Sequence, residues 1–140
     1  MSGRLIAFLD SSALIYLTEG TAPFAGRVRK QLSALARRHP PLGLAVSRLT
    51  WMECRVGPMK NGDAVALAAY DAFFAQADLL WVELTREVVE LAAAVRVRHG
   101  LRTPDALQAA CCLQLGPEHM LLTGDAAFGR VAGLNVQCLT

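Results

Sequence analysis

Short apolar runs separated by segments with helical spacing constrain this chain more than any other feature of its sequence. Each run has the length and composition of a strand that is buried on both faces of a sheet. Strands that alternate with helices favour a parallel sheet, because a parallel connection crosses the sheet through a helix. We therefore predict an α/β fold with three layers, α/β/α, and a central parallel sheet of four or five strands. The predicted strands are Leu5–Leu9, Leu42–Val46, Leu79–Leu84, Met120–Thr123 and Leu134–Leu139, the last of them at the sheet edge.

Capping residues and stop signals delimit the connecting helices. Ser11 or Ser12 is predicted to cap a helix that runs through Glu19, and Pro23 to begin a basic helix that ends before His39. Four further helices follow from the same signals and from apolar residues at helical spacing. They run from Arg48 to Val56 with a stop at Gly57-Pro58, from Asp63 to Ala77, from the cap Thr85 to Gly100, and from the cap Thr103 to Leu115.

The composition predicts one folded domain, residues 1–140. Hydrophobic residues make up 54% of the chain and charged residues 19%, which excludes a disordered protein. The N-terminal apolar run is interrupted at Asp10, so it is too short for a signal peptide or a membrane span, and we expect a cytoplasmic protein. The cysteines lack the spacing of a zinc site or of a redox pair and are interpreted as buried thiols. They are Cys54, Cys111, Cys112 and Cys138.

Four acidic residues occupy positions from which ligands are usually bound in such a fold. Asp10 and Asp125 each follow an apolar strand, Glu53 lies in a helix after the second strand, and Asp105 lies in the first turn of a helix. A parallel sheet brings the C-terminal ends of its strands to one edge, so these carboxylates are expected to converge. Clustered carboxylates repel one another unless a cation neutralises them. Oxygen-only ligands favour Mg²⁺ or Mn²⁺, and we expect one or two ions.

Taken singly, these acids have ordinary alternatives. Asp10 alone is equally a helix cap, Asp105 a first-turn acid favoured by the helix dipole, Glu53 a solvated helix residue and Asp125 a turn residue. Only their joint pattern favours a metal site.

The charge of the chain indicates a polyanionic substrate if those four acids form one site. The net charge is only +2, from 14 basic and 12 acidic residues, but the remaining surface would then be clearly basic. The polar face of the helix after Pro23 supplies the candidate RNA contacts Arg27, Lys30 and Arg37. The alternative is the ordinary charged surface of a soluble protein.

Several sequence motifs together resemble those of PIN domains, across the whole chain and in the same order. They are Phe8-Leu9-Asp10-Ser11-Ser12, Glu53, Thr103-Pro104-Asp105-Ala106-Leu107 and Thr123-Gly124-Asp125-Ala126-Ala127-Phe128. Among PIN domains, the length of the chain and its T-P-D-A-L segment resemble VapC toxins of bacterial toxin–antitoxin pairs. The resemblance implies a PIN-like fold and a Mg²⁺- or Mn²⁺-dependent endoribonuclease that a cognate antitoxin inhibits. It also implies a homodimer.

The resemblance assigns roles to individual residues. Asp10, Glu53, Asp105 and Asp125 match the acids of the family's metal site, and the supporting hydroxyls match Ser11 and Thr123. Two positions depart from the pattern: many relatives have histidine in place of Gln108, and many carry a further acid where this chain has Ala126-Ala127. The first ion is therefore better supported than the second.

The mechanism that follows is hydrolysis of RNA phosphodiesters by a metal-activated water. Asp10, Asp105 and Asp125 are expected as principal ligands. Glu53 is either a ligand or a group that orients the attacking water, and the sequence does not separate these two roles. The helices from Arg48 to Phe74 are expected to form the surface that receives the antitoxin.

Two alternatives remain open at this stage. One is a housekeeping RNA-processing nuclease of the PIN type, and the other is a catalytically silent PIN scaffold that binds RNA or protein. A small upstream open reading frame encoding a DNA-binding antitoxin would separate the toxin from the housekeeping enzyme. We interpret Trp51 and Trp81 as core or interface anchors, and we assign no catalytic role to His39, His99 or His119.

Overall fold

The structure, a computed structural model, describes residues 4–140 and contains one parallel sheet with five strands. Residues 1–3 of the predicted domain lie outside the described residues. The strands are β1 Ile6–Leu9, β2 Gly43–Ser47, β3 Leu80–Val82, β4 His119–Thr123 and β5 Val136–Cys138. Every neighbouring pair is parallel, and the spatial order is β3-β2-β1-β4-β5. The predicted fold class is confirmed, as is the edge position of the last strand.

Six α-helices connect these strands. They are α1 Ser11–Glu19, α2 Phe24–Arg38, α3 Arg48–Asn61, α4 Ala64–Phe74, α5 Arg86–His99 and α6 Thr103–Leu113. A short 3₁₀ helix, Ala126–Arg130, follows β4 and was not predicted from the sequence. Within residues 4–140, no helix combines the length and the apolar character needed to cross a membrane.

Alternate residues of the central strand face two separate apolar cores. Phe8 is fully buried in the core formed with α5 and α6, whereas Ala7 and Leu9 are fully buried in the core formed with α1, α2 and α4. This alternation follows from the two-residue period of a strand. The sheet is thus covered on both faces, which explains the high apolar content of the sequence.

The order of the strands creates a switch point between β1 and β4. Within the sheet, β2 and β3 lie to one side of β1, whereas β4 and β5 lie to its other side. Ligands of open parallel sheets bind at such a point, beyond the C-terminal ends of the strands. Asp10 follows β1 directly and Asp125 follows β4 by two residues.

Three predictions about helix caps and stop signals are wrong. The α1 cap is Asp10 rather than Ser11 or Ser12, because the Asp10 carboxylate accepts the Ala13 N–H. The α6 cap is Arg102, and Thr103 is the first helical residue, with its hydroxyl accepting a hydrogen bond from Arg96.

The third wrong prediction concerns α3, which continues through Gly57 and Pro58 to Asn61. A proline removes one helical hydrogen bond and its ring crowds the preceding turn, yet α3, which packs against α4, remains helical past Pro58. The helix ends where Gly62 adopts a left-handed conformation with φ of 62°.

The cysteines depart in part from their predicted environments, and the two tryptophans differ in exposure. Cys54, Cys111 and Cys112 are buried as expected, but Cys138 is only half-buried, on the edge strand. Trp81 is half-buried under the Arg48 guanidinium, and Trp51 is 40% exposed, so Trp51 is not part of the core.

Candidate active site

Asp10 is a buried carboxylate surrounded by neutral hydrogen-bond donors. Its side chain is held by the Ser12 hydroxyl and the Ala13 N–H on Oδ1, at 2.7 and 2.9 Å, and by the Thr123 hydroxyl on Oδ2, at 2.5 Å. Burial raises the pKa of Asp10, while these hydrogen bonds lower it and the charge of Asp105 raises it further. Asp10 therefore has its geometry fixed by the fold, but in residues 4–140 no Lys, Arg or His lies within salt-bridge distance to offset its charge.

Thr123 connects Asp10 to Asp125. The Thr123 hydroxyl, fully buried at the end of β4, donates to Asp10 and accepts the Asp125 N–H at 3.0 Å. Asp125 in turn caps the 3₁₀ helix, since its Oδ1 accepts the Ala127 N–H at 2.9 Å. The supporting role predicted for Thr123 has this geometric basis.

Gly124 allows the two strand ends to approach closely. Its N–H donates to the Ser12 hydroxyl at 2.9 Å, and a Cβ at this position would lie 2.5 Å from the Tyr16 hydroxyl. A side chain larger than hydrogen next to Asp125 would therefore displace the ring of Tyr16. Ser12 and Tyr16 are contacts that the sequence analysis did not identify.

Asp105 lies in the first turn of α6 and is partly buried, with 23% of its side chain exposed. Desolvation raises its pKa, and so do the charges of Asp125 and Glu53, while Arg102 opposes them. Arg102 is itself exposed, and its nearest nitrogen lies 3.9 Å from the Asp105 carboxylate, so it screens this charge only weakly. Asp105 thus interacts electrostatically with each of the other three acids, Asp10, Asp125 and Glu53.

Glu53 projects from α3 into a polar network. Its Oε1 accepts hydrogen bonds from the Ser11 hydroxyl at 2.5 Å and from the Gln108 amide at 3.2 Å. Ser11, predicted as a supporting hydroxyl, therefore holds Glu53 and not Asp10. Thr50 and Ser47, both fully buried, complete the network around Gln108.

From the sequence, Gln108 stood out only as a departure from the family pattern. It lies one helical turn after Asp105 and is the only strongly polar residue in the run Ala106–Cys112. A polar residue inside an apolar run of a helix was the signal available in the sequence.

The donor atoms of this edge match a hard divalent cation in type, but they do not form a closed set of ligands. Four carboxylates and several hydroxyls are present, and Cys54, which follows Glu53, has a thiol whose pKa is raised by burial. In the part of the chain that the structure describes, no three His, Cys, Asp or Glu side chains are close enough together to hold an ion directly. Mg²⁺ usually retains several water ligands, so this donor set fits an ion that is bound partly through water.

The three candidate RNA contacts separate into two locations along α2. Arg27 donates to the Leu139 carbonyl at 2.9 Å, and with Lys30 it lines a cavity of about 280 Å³ beside the chain end. The Thr140 hydroxyl at that end donates to the Gly124 carbonyl at 3.1 Å, which places this cavity near Asp125. Arg37 lies in the last turn of α2, where it donates to Ser33.

The comparisons with known proteins identify the family. The model of the PIN domain family matches residues 7–134, which is most of the chain. The chain therefore belongs to the PIN domain family. Among curated proteins, none matches the sequence.

Solved structures with the same fold include proteins of toxin–antitoxin systems. The chain is similar to VapBC2 from Rickettsia felis, bound to a DNA fragment from its promoter, with a TM-score of 0.77 and 16% identity over 97% of this chain and 100% of that chain. It is similar to a toxin–antitoxin complex from Klebsiella pneumoniae, with a TM-score of 0.69 and 25% identity over 96% and 98% of the two chains. VapC20 from Mycobacterium tuberculosis, a Sarcin-Ricin loop cleaving toxin, gives a TM-score of 0.67 and 19% identity over 88% and 92%.

Proposed function

We propose that this protein is a VapC-type endoribonuclease, the toxin of a toxin–antitoxin pair, that hydrolyses RNA phosphodiesters with the help of Mg²⁺ or Mn²⁺. The observation that carries the proposal is the buried Asp10 carboxylate at the switch point of a PIN fold, beside Asp125 and in electrostatic contact with Asp105. Membership of the PIN family and the similarity to toxin–antitoxin proteins support it.

Asp10, Asp105 and Asp125 would hold the ion, directly or through bound water, with Glu53 as a further ligand or as the group that orients the attacking water. A bound Mg²⁺ or Mn²⁺ would supply Lewis-acid chemistry, which activates water and offsets charge on the leaving oxygen. The rest of the site belongs to the chain itself. Thr123, Ser12 and the Ala13 N–H fix the Asp10 carboxylate, so that little reorganisation is needed when the charge around it changes.

RNA would reach these acids along the N-terminal half of α2. Arg27 and Lys30 line a cavity together with Thr140, which contacts Gly124, and we assign them contacts with phosphates next to the acids. Arg37, nearly three helical turns after Arg27, would contact a more distant part of the RNA. These residues would contact the phosphates of the RNA backbone. Any sequence preference would then depend on the shape of the surrounding protein surface.

The exposed apolar face of α3 supports a protein partner. Met52, Val56 and Met59 repeat at helical spacing and are 51%, 43% and 59% exposed. We assign this face, on the helices from Arg48 to Phe74, to protein–protein contact with a cognate antitoxin or with a second copy of the chain in a homodimer. The proposed cellular location is the cytoplasm, where the RNA substrate is found.

Cleavage and growth assays with matched variants test the proposal. The wild type should arrest growth when expressed and should cut RNA in Mn²⁺, with EDTA blocking the reaction. Asp10→Asn and Asp105→Asn should abolish both effects, because each removes a carboxylate of the site. Asp78→Asn, the same change at an exposed position of the α4–β3 loop, should leave both intact. Equal toxicity of soluble wild-type and Asp10→Asn proteins would refute the catalytic assignment.

A further inference from the structure

Gln108 has a buried side-chain amide whose oxygen and nitrogen both form hydrogen bonds. Only 2% of the residue is exposed, and it lies on α6 one turn after Asp105. Its Oε1 accepts from the Ser47 hydroxyl at 2.7 Å. Its Nε2 lies 2.8 Å from the Thr50 hydroxyl and 3.2 Å from both the Ser11 hydroxyl and Glu53 Oε1.

The carboxylate of Glu53 fixes the orientation of this amide. Turning the amide over would place its oxygen against Glu53 Oε1, where two acceptors would repel each other, and its NH₂ group against Ser47. With the nitrogen towards Glu53, one N–H donates to Thr50 and the other is shared between Ser11 and Glu53. The amide is therefore oriented by the acid and, reciprocally, restrains it.

The hydrogen bonds of the network run in one direction. The Ser47 hydroxyl donates to Gln108, Gln108 donates towards Glu53, and the Ser11 hydroxyl also donates to Glu53 Oε1. Glu53 is the final acceptor, and Ser47 lies at the far end, fully buried where β2 meets α3. The position of Glu53 thus depends on β2, α1 and α6 as well as on its own helix.

We propose that Gln108 is a positioning residue that holds the Glu53 carboxylate at the site, an inference that rests on the proposed nuclease function. Gln108 does not touch substrate in this role; it acts through Glu53. One helix, α6, then supplies Asp105 directly and fixes a second acid through Gln108. Groups that orient the ligands of a metal typically change ion affinity or activity by about 10- to 100-fold when they are removed.

A double-mutant cycle separates positioning from a merely structural role. The four proteins are the wild type, Gln108→Met, Glu53→Gln and the double variant, each tested for kcat and KM on RNA, for Mn²⁺ affinity by calorimetry and for Tm. Methionine matches the size of glutamine but donates no hydrogen bond. Cys112→Ala, also fully buried on α6, is the control for a loss of core packing outside the site.

In the wild-type background, Gln108→Met should lower kcat about 10- to 100-fold and weaken Mn²⁺ binding about tenfold, with KM for RNA changed less than kcat. In the Glu53→Gln background the same substitution should have almost no further effect on kcat or on Mn²⁺ affinity, because the carboxylate through which Gln108 acts is already absent. Cys112→Ala should lower Tm without the loss of Mn²⁺ affinity. If Gln108→Met does not fold, Gln108→Asn takes its place, since asparagine keeps the amide but is too short to reach from Ser47 to Glu53.

Equal effects of the Gln108 substitution in both backgrounds would overturn the inference, as would kcat and Mn²⁺ affinity in Gln108→Met that match those of Cys112→Ala. These results leave the proposed function intact if the wild type still cuts RNA. Conversely, a wild type that binds Mn²⁺ but cuts no RNA would remove the proposed function, and the cycle measured on Mn²⁺ affinity would still decide the role of Gln108.

Discussion

Asp10 serves two purposes at one position. Its Oδ1 caps α1 through the Ala13 N–H, and its Oδ2 is held by Thr123 at the strand end beside it. The cap ties the carboxylate to the start of the helix, and the threonine ties it to β4. The buried carboxylate is therefore an integral part of the fold at the place where the sheet meets α1.

Removing the Thr123 hydroxyl should weaken both the fold and the site. Thr123→Val keeps the shape of the side chain but leaves Asp10 Oδ2 and the Asp125 N–H without this partner. We expect the free energy of unfolding to fall by about 1–3 kcal/mol, measured by urea denaturation, and RNA cleavage to fall about tenfold or more. Thr123→Ser keeps the hydroxyl and is the control. A Thr123→Val protein as stable and as active as the serine variant would contradict this account.

The partly buried charge of Asp105 should destabilise the metal-free protein. Its pKa is raised, first by desolvation and then by the charges of Asp125 and Glu53, so the ionised form is disfavoured in the folded state. The helix dipole favours a first-turn acid by only about 0.3–1 kcal/mol. We therefore expect Asp105→Asn to raise Tm in EDTA at neutral pH by roughly 1–3 °C.

The stabilising effect of Asp105→Asn should depend on pH. A carboxyl group with a raised folded-state pKa contributes stability below its ordinary pKa of 3.8, and this contribution is lost as the pH rises through the folded-state value. The difference in Tm between Asp105→Asn and the wild type should therefore shrink on acidification and vanish below that ordinary value. Glu87→Gln, at a first-turn acid of α5 outside the site, should lower Tm slightly instead. A Tm difference between Asp105→Asn and the wild type that grows towards acid pH would contradict the raised pKa of Asp105.

At the scale of the elements, α3 shows how tertiary packing overrides local signals. Gly57 and Pro58 are strong stop signals in isolation, yet the helix continues to Asn61 and ends only at Gly62. The two glycines have different roles: Gly57 is helical, whereas Gly62 has a φ of 62° that favours glycine.

Matched substitutions at these two glycines test this description of α3. A Cβ on Gly57 would meet nothing within 4 Å apart from its chain neighbours, but the Cδ of Pro58 disfavours the helical conformation of a preceding residue that has a Cβ. Gly57→Ala should therefore change the free energy of unfolding by less than about 0.5 kcal/mol. Gly62→Ala should lower it by about 1 kcal/mol, because alanine is strained in the left-handed conformation. Denaturant melts of both variants give the comparison. The opposite order of stabilities would mean that α3 ends before Gly57, as the sequence alone predicts.

The two ends of α2 should contribute unequally to RNA binding. In EDTA, which prevents cleavage, replacing Arg27, Lys30 and Arg37 together by alanine should weaken binding of single-stranded RNA and flatten its salt dependence. Each lost phosphate contact should reduce the slope of log K against log salt by about 0.7. Arg27→Ala with Lys30→Ala should account for the larger part of that change, since this pair lines the cavity near Gly124, and Arg37→Ala for one more distant contact, about 0.7 of the slope. An unchanged slope in the triple variant would place the RNA path elsewhere.

For the whole molecule, the sequence predicts those features that depend on local chemistry. Strand positions, the start of α4 at Asp63, the cap Thr85 and the stop at Gly100 follow from residues that are near one another in the chain. The parallel sheet follows from the alternation of strands and helices, and that sheet in turn predicts which acids share an edge. The Gln108 network was missed because its partners come from β2, α1 and α3, up to 97 residues away in sequence, and no local pattern encodes such contacts.

The central claim is that the fold gathers four carboxylates whose mutual repulsion a divalent ion relieves. An ion that binds only the folded state stabilises it by about 2.7 kcal/mol at a hundredfold excess over Kd. The most direct measurement is therefore the Tm of the wild type and of Asp105→Asn in EDTA, Mg²⁺ and Mn²⁺, with RNA cleavage followed in the same samples. We expect both ions to raise the Tm of the wild type by several degrees, to raise that of Asp105→Asn less, and EDTA to stop cleavage. Identical responses of the two proteins to both ions, together with cleavage that persists in EDTA, would contradict the claim.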